Sequence, residues 1–270
     1  GVLIASTITG RSSAFSLPYR DPAAFAALIA AGEAELSRRV GKPVQFGPIL
    51  VTFWSAGYGA VRELLRQPEW FQRIDALVSA DSIYASVVNN DVRAPRLEDV
   101  VDFLRFAQAA ARGEKTFVIA HGRYQTDYAS TAETAALLRA AVAVEHRAVA
   151  NTTERGVPIG KESHCRGFHC YEFEEATAGI HVDCLYFVPE MVRRHVANGA
   201  SANDDAKIRG ERERPLPLLL SAAQQAADRV GRRREQHQHE QTDRPREESE
   251  AENGRDGALL ARRPRAAPPL

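Results

Sequence analysis

The residue with the clearest chemical context is Ser55, which ends an apolar run. Residues 48–54 (PILVTFW) have the composition of a buried strand, and the apolar spacing over 61–65 predicts a helix soon after the serine. Gly57 and Gly59 stand between the two elements. The sequence therefore predicts a serine hydroxyl at a tight turn, and such a hydroxyl becomes a nucleophile when a neighbouring base removes its proton.

This order of strand, turn and helix resembles the nucleophile elbow of the α/β-hydrolase family. Gly57 occupies the small position two residues after the serine in the G-x-S-x-G motif, whereas Phe53 stands at the other small position. The resemblance extends over about residues 1–197. It implies a three-layer α/β domain, with a mostly parallel sheet covered by helices on both faces. It also implies a serine hydrolase that cleaves an ester, amide or similar acyl bond of a small-molecule substrate without a cofactor.

The resemblance further implies the order serine, acid, histidine along the chain. Ser55, Asp81 and His181 each follow a predicted strand, and parallel sheets place functional side chains at the carboxyl ends of their strands. Ser55 is then the nucleophile, His181 the base, and Asp81 the group that orients the imidazole. The backbone N–H of Ala56 is the expected oxyanion donor. His121, at the end of another predicted strand, is the alternative base.

Each of these residues also has a structural interpretation. Ser55 is compatible with a simple strand end, Asp81 with a helix cap or an Asx turn, and His181 with a solvated loop. Trp54 and Tyr58 are expected to pack rather than to contact substrate. Together these interpretations define an alternative function, namely a catalytically inactive hydrolase-fold module that binds or interacts, or a truncated fragment.

A second group of chemically active side chains lies within residues 164–184. Its members, spaced H-C-x3-H-C-x10-H-x2-C, are His164, Cys165, His169, Cys170, His181 and Cys184. Such residue types bind zinc, but a predicted strand over 168–174 turns His169 and Cys170 to opposite faces. We therefore predict no metal site. The turn 55–59 offers a helix N-terminus to a phosphate, although the basic residue of a P-loop is missing.

Alternating strand and helix patterns predict the elements that position these residues. Besides the strand before Ser55, the predicted strands span 2–8, 74–80, 115–120 and 167–174, and the predicted helices span 22–40, 96–112, 131–143 and 183–196. Residues 150–166 have the composition of a polar loop. Compared with the α/β-hydrolase layout, we expect the N-terminal strands and the segment that supplies the second oxyanion N–H to be missing from this sequence.

The composition restricts the class of protein and its partners. The 270 residues are 44% hydrophobic and carry no formal net charge, which predicts neither nucleic acid nor membrane as a partner. An odd number of cysteines and the absence of a basic leader favour a cytoplasmic location. From residue 198 the sequence is dominated by charged and polar residues. We therefore predict a domain over 1–197 and a disordered tail over 198–270.

Overall fold

The computed structural model describes residues 2–6, 8, 10, 12–88 and 93–197, and the predicted tail over 198–270 lies outside them. Within this part the chain forms an α/β fold built on a six-stranded sheet. The strands are β1 (Ile49–Trp54), β2 (Ile74–Ala80), β3 (Thr116–His121), β4 (Arg147–Thr152), β5 (Pro158–Cys165) and β6 (Phe168–Phe173). The α-helices are α1 (Pro22–Val40), α2 (Tyr58–Leu65), α3 (Pro68–Arg73), α4 (Leu97–Ala111), α5 (Thr131–Ala141) and α6 (Ile180–Val192).

The sheet is mixed, with strand order β1-β2-β3-β6-β5-β4. Strands β1, β2, β3 and β6 run parallel to one another. Strands β5 and β4 extend the sheet as an antiparallel hairpin beside β6. The fold is thus broadly the α/β class expected from the alternating pattern, with a parallel part that brings the carboxyl ends of four strands to one edge.

Side chains that alternate along the strands form two separate cores. Leu77 and Phe117 belong to a core with the apolar residues of α1, α2, α4 and α5. Val78 and Val118 point the other way and pack against Cys184 and the rest of the apolar face of α6. Helices therefore cover both faces of the parallel strands, and α6 reaches the sheet from the side opposite to α2.

Local capping signals explain where the helices begin and end. Asp21 accepts a hydrogen bond from the N–H of Ala23 at the start of α1, and Pro22 takes the first helical position. Gly41 ends this helix with φ of 71°. These positions, and the bounds of β2, agree with the sequence-based expectations. None of the helices in the described ranges combines the length and apolarity that crossing a bilayer requires.

The secondary-structure predictions for two segments are wrong. Residues 150–166, expected to be a loop, supply parts of β4 and β5. The hairpin lies at the edge of the sheet, where β4 is almost entirely exposed, so its polar sequence lacks the alternation that marks a half-buried strand. Residues 2–8 were expected to be a buried strand, yet the described ones form none and Leu3 is 87% exposed. An extended apolar segment becomes a strand only when it finds a pairing partner.

Gly167 offers a test of the packing between the β5–β6 turn and the segment that joins α4 to β3. A Cβ at this position would lie 2.0 Å from the carbonyl oxygen of Lys115, whereas a Cβ on Gly47 would meet nothing within 4 Å. We expect Gly167→Ala to lower the free energy of unfolding by about 1–3 kcal/mol or more, because the backbone must shift to admit the methyl group. Gly47→Ala is the matched control and should change it by less than about 0.5 kcal/mol. Urea unfolding of both variants measures the difference, and equal values would contradict the observed packing.

Candidate functional site

Ser55 lies at a sharp backbone bend between β1 and α2. Its φ of 53° is in the left-handed region, which is unusual for a residue with a side chain. A single 3-10 turn, Ser55–Gly57, joins the strand to the helix. A Cβ on Gly57 would come within 3.2 Å of the Cβ of Phe53, so even a methyl group would be a tight fit where the chain folds back. The predicted order of strand, turn and helix is therefore present.

Asp81 lies at a second bend, directly after β2. Trp54 and Ala80 are partners in the parallel pairing of β1 with β2, so Ser55 and Asp81 follow residues that face each other. Asp81 also has a positive φ, of 42°. The hydroxyl of Ser82 donates a hydrogen bond to the carbonyl oxygen of Ser55, 2.6 Å away. The two bends are thus linked directly at one edge of the sheet.

His181 is in the first turn of α6, which begins at Ile180, so the expectation of a loop histidine is wrong. The helix can begin early because its first residue fits closely against the end of β3. A Cβ added to Gly122 would lie 2.2 Å from a side-chain methyl of Ile180. The glycine therefore lets the start of α6 approach the carboxyl ends of the strands, where Asp81 lies.

The imidazole of His181 is held from both sides. Its Nδ1 lies 2.7 Å from Oδ2 of Asp81. The indole ring of Trp54 stands beside it with ring centroids 4.8 Å apart, and the indole N–H donates to the carbonyl oxygen of His181 at 2.9 Å. Because a carboxylate only accepts hydrogen bonds, Nδ1 must carry a proton, and in the neutral imidazole Nε2 then has the lone pair. The pair has the protonation pattern of a general base.

The third predicted member is less closely tied to this pair. No hydrogen bond within the described ranges joins the hydroxyl of Ser55 to His181 or to Asp81. Ser55 is half-buried and follows Trp54, whose ring contacts the imidazole. Ala56 is the second residue of the 3-10 turn, where a backbone N–H has no acceptor within the turn. The structure thus brings Asp81 and His181 into contact and places Ser55 directly after the adjacent strand, β1.

Two tyrosines complete the surroundings of Asp81 and were not identified from the sequence. The hydroxyl of Tyr124 donates to Oδ2 of Asp81 at 3.0 Å, and that of Tyr84 donates to its carbonyl oxygen at 2.7 Å. Burial and the nearby Asp81 raise the pKa of Tyr84 far above its usual range, and burial raises that of Tyr124 to about 12. Both tyrosines therefore remain proton donors. The sequence signal that could have identified them is their position, because each lies in a segment that directly follows a parallel strand, β2 or β3.

His121, the alternative base, has a different environment. It is fully buried, and its Nδ1 lies 2.9 Å from the carbonyl oxygen of Gly122. Burial lowers its pKa to about 4. Its Nε2 has no hydrogen-bond partner among the described residues. It lies instead beside His146 and Glu172, with one possible ligand atom from each of the three residues within 4.8 Å of the others. The sequence alone did not identify this group.

The six histidines and cysteines considered as zinc ligands do not converge. Cys170 belongs to the core on the side of α4, and Cys184 to the core beneath α6, on the opposite face of the sheet. His181 is bound to Asp81. His169 and Cys170 point to opposite faces, as predicted for neighbours on a strand, because Cys170 lies in the first core while His169 stacks on His195 beyond α6.

A cluster of histidines does form around His169. The rings of His169 and His195 stack with centroids 3.8 Å apart, and His164 lies 2.9 Å from His169 between the two Nδ1 atoms. Burial, followed by the charge of the neighbouring imidazoles, lowers the pKa of His169 to about 3 and that of His195 to about 4. These two rings are therefore neutral at physiological pH.

The chain matches no protein-family model, no curated protein and no solved structure. What the site can do therefore follows from its own geometry. That geometry contains an imidazole in contact with a buried carboxylate, and a serine on a strained bend at the end of the adjacent strand. The three side chains belong to elements that meet at the carboxyl edge of the parallel strands.

The stacked pair of His169 and His195 predicts how stability depends on pH. The folded pKa values of His169 and His195 are below the ordinary value of 6.5, so as pH falls below about 6.5 the unfolded chain binds protons that the folded chain does not. We expect the free energy of unfolding to decrease over this range. In His169→Gln the decrease between pH 6.5 and 5 should be less steep, by up to about 1.4 kcal/mol per pH unit.

Urea unfolding at a series of pH values measures this slope. Glu35→Gln is the control, because hydrogen bonds from Arg38 and Arg39 hold the pKa of Glu35 at about 2, and its titration from 4.5 downwards lies below the tested range. Identical slopes for His169→Gln and the unchanged protein would show that the ring of His169 is not buried in its neutral form.

Proposed function

We propose that the protein is a serine hydrolase that cleaves an ester, amide or similar acyl bond of a small molecule. The observation that carries the proposal is the 2.7 Å contact between Nδ1 of His181 and Oδ2 of Asp81. It lies at the sheet edge where Ser55 occupies a bend with positive φ. A strained residue at the tip of a strand–helix turn is typical of a functional position.

The proposed mechanism assigns one role to each side chain. Nε2 of His181 takes the proton from the hydroxyl of Ser55 as that oxygen attacks the acyl carbon, and later returns it to the leaving group. Asp81 is only 2% exposed. Because water screens its negative charge poorly, this charge stabilises the imidazolium that forms on His181. Tyr124 donates to the same carboxylate oxygen and holds it in position.

The backbone supplies the proposed stabilisation of the oxyanion. Ala56 N–H stands at the beginning of the turn that leads into α2, where unpaired N–H groups and the helix dipole favour negative charge. Trp54 is partly exposed beside the imidazole and forms an apolar wall next to the reacting centre. We propose that the acyl group of the substrate contacts this indole.

The proposed relationship to α/β-hydrolases is supported by order and by placement. Serine, acid and histidine follow one another along the chain in the order of that family. Each follows a strand of the parallel part of the sheet. The antiparallel hairpin β4–β5 separates β3 from β6 in sequence, although the two strands are neighbours in the sheet. His181, which follows β6, is therefore far from Asp81 along the chain.

Labelling with a fluorophosphonate probe tests the nucleophile. We expect the unchanged protein to be labelled at one serine, and Ser55→Ala to lose the label, because the probe reacts with activated hydroxyl groups. Ser86→Ala is a matched control, since Ser86 is an exposed serine in the segment after β2, and it should retain full labelling. Mass spectrometry of the labelled peptide identifies the residue. Equal labelling of Ser55→Ala would reject the proposed role.

Asp81→Asn tests the orientation of the base. An amide can donate to Nδ1 and so favours the imidazole tautomer whose Nε2 carries the proton, which lowers kcat in serine proteases by about 10⁴-fold. We expect a loss of this order in hydrolysis of a nitrophenyl ester, with little change in KM. Asp127→Asn, an exposed carboxylate in the segment after β3, is the control and should leave kcat unchanged. A normal kcat for Asp81→Asn would mean that Asp81 does not orient the base.

A second candidate function is binding without catalysis. It is favoured by one observation, namely that no hydrogen bond of the described residues reaches the hydroxyl of Ser55 from His181. A binding module would be folded and yet show neither fluorophosphonate labelling nor ester hydrolysis. The labelling experiment therefore distinguishes the two functions in the unchanged protein.

A further inference from the structure

His121, His146 and Glu172 form a compact group outside the proposed triad. His121 ends β3 and Glu172 lies in β6, and the two residues are direct partners in the parallel pairing of these strands. His146 belongs to the segment just before β4. One possible ligand atom from each residue lies within 4.8 Å of the other two. Two imidazoles and one carboxylate are thus brought together from three separate elements.

The hydrogen bonds of His121 determine which nitrogen is available. Nδ1 lies 2.9 Å from the carbonyl oxygen of Gly122, and a carbonyl oxygen only accepts, so Nδ1 carries the proton. Nε2 therefore presents a lone pair, and it is buried without a partner among the described residues. A buried acceptor without a partner typically costs about 1–3 kcal/mol. An imidazole fixed by a backbone carbonyl through one nitrogen, with the other unpaired, has the arrangement of a metal ligand.

His146 and Glu172 are also held in place by hydrogen bonds and an ion pair with neighbouring side chains. Nδ1 of His146 lies 2.9 Å from the hydroxyl of Ser163, and its Nε2 lies 3.3 Å from Oε2 of Glu172. The ammonium group of Lys161 lies 3.2 Å from the other carboxylate oxygen, Oε1. Ser163 can accept as well as donate, so the proton of His146 can reside on Nδ1. A cation between Nε2 of His146 and Oε2 of Glu172 would then replace their mutual hydrogen bond.

We propose that His121, His146 and Glu172 bind a divalent transition-metal ion of the zinc class. Two imidazole nitrogens and one carboxylate oxygen suit zinc and its neighbours better than calcium or magnesium, which prefer oxygen ligands. Three protein ligands leave a fourth position for water or another small ligand. His121 is fully buried, but His146 and Glu172 keep a small exposed fraction, which gives the ion a route of entry.

Titration of the full-length protein with Zn²⁺ alone, and with Co²⁺ as a spectroscopic probe, tests the site. We expect about one equivalent of each ion to bind, visible d–d bands for Co²⁺ in a site of low coordination number, and no comparable binding of Mg²⁺. His146→Gln and Glu172→Gln should each weaken Zn²⁺ binding by about 100-fold or more. Loss of even an outer partner costs about 10–100-fold.

The control variants locate the ion. His164→Gln removes an imidazole from the separate cluster around His169 and should leave Zn²⁺ binding unchanged. Ser163→Ala retains all three ligands and removes only the partner of His146, so it should weaken binding by about 10-fold or more. This variant keeps the test decisive if a ligand substitution prevents folding, which circular dichroism would reveal. Absence of Zn²⁺ binding, equal affinity in Ser163→Ala and the unchanged protein, or loss of binding in His164→Gln would each overturn the proposal.

Discussion

The buried carboxylate of Asp81 is the constraint on which the proposed site depends. A carboxylate that is 2% exposed loses most of its hydration, and it remains charged only if donors replace the lost water. Tyr124 and His181 both approach Oδ2, at 3.0 and 2.7 Å. These donors come from the segment after β3 and from the start of α6. The hydrogen bonds to the Asp81 carboxylate therefore hold the end of β2, the segment after β3 and the start of α6 together at the edge of the sheet.

The same edge holds two strained backbone positions, which neighbouring hydrogen bonds maintain. Ser55 and Asp81 both have positive φ values, and such conformations typically cost on the order of 1–3 kcal/mol each. The N–H of Asp81 donates to the carbonyl oxygen of Ala120 at 2.7 Å, and Ser82 donates to that of Ser55 at 2.6 Å. Parallel pairing of β1 with β2 keeps the bends side by side. Strain that persists because the surroundings hold it is expected where a side chain must be presented in a defined direction.

The antiparallel hairpin gives the sheet a second polar region beside the parallel strands. Strand β5 contributes Ser163, and the segment before β4 contributes His146, which reaches Glu172 on β6. A hydrogen bond from His146 and the adjacent ammonium group of Lys161 lower the pKa of Glu172 to about 2, so this carboxylate is charged at physiological pH. Glu172 pairs with His121 on the parallel side and with Lys161 on the antiparallel side, so its negative charge lies on β6, where the two parts of the sheet meet.

Local sequence patterns determined the elements and the order of the proposed catalytic residues. The apolar run before Ser55, the capping residues of α1 and the run that forms β2 act over a few neighbouring positions, so they can be recognised without tertiary contacts. Tertiary structure alone decided that residues 150–166 pair at the edge of the sheet, that α6 begins early enough to include His181, and that His121 faces Glu172 rather than Ser55. These outcomes depend on which strand finds which partner and on how closely a helix can approach a glycine. Both are set by contacts between residues distant in the sequence, which no local pattern encodes.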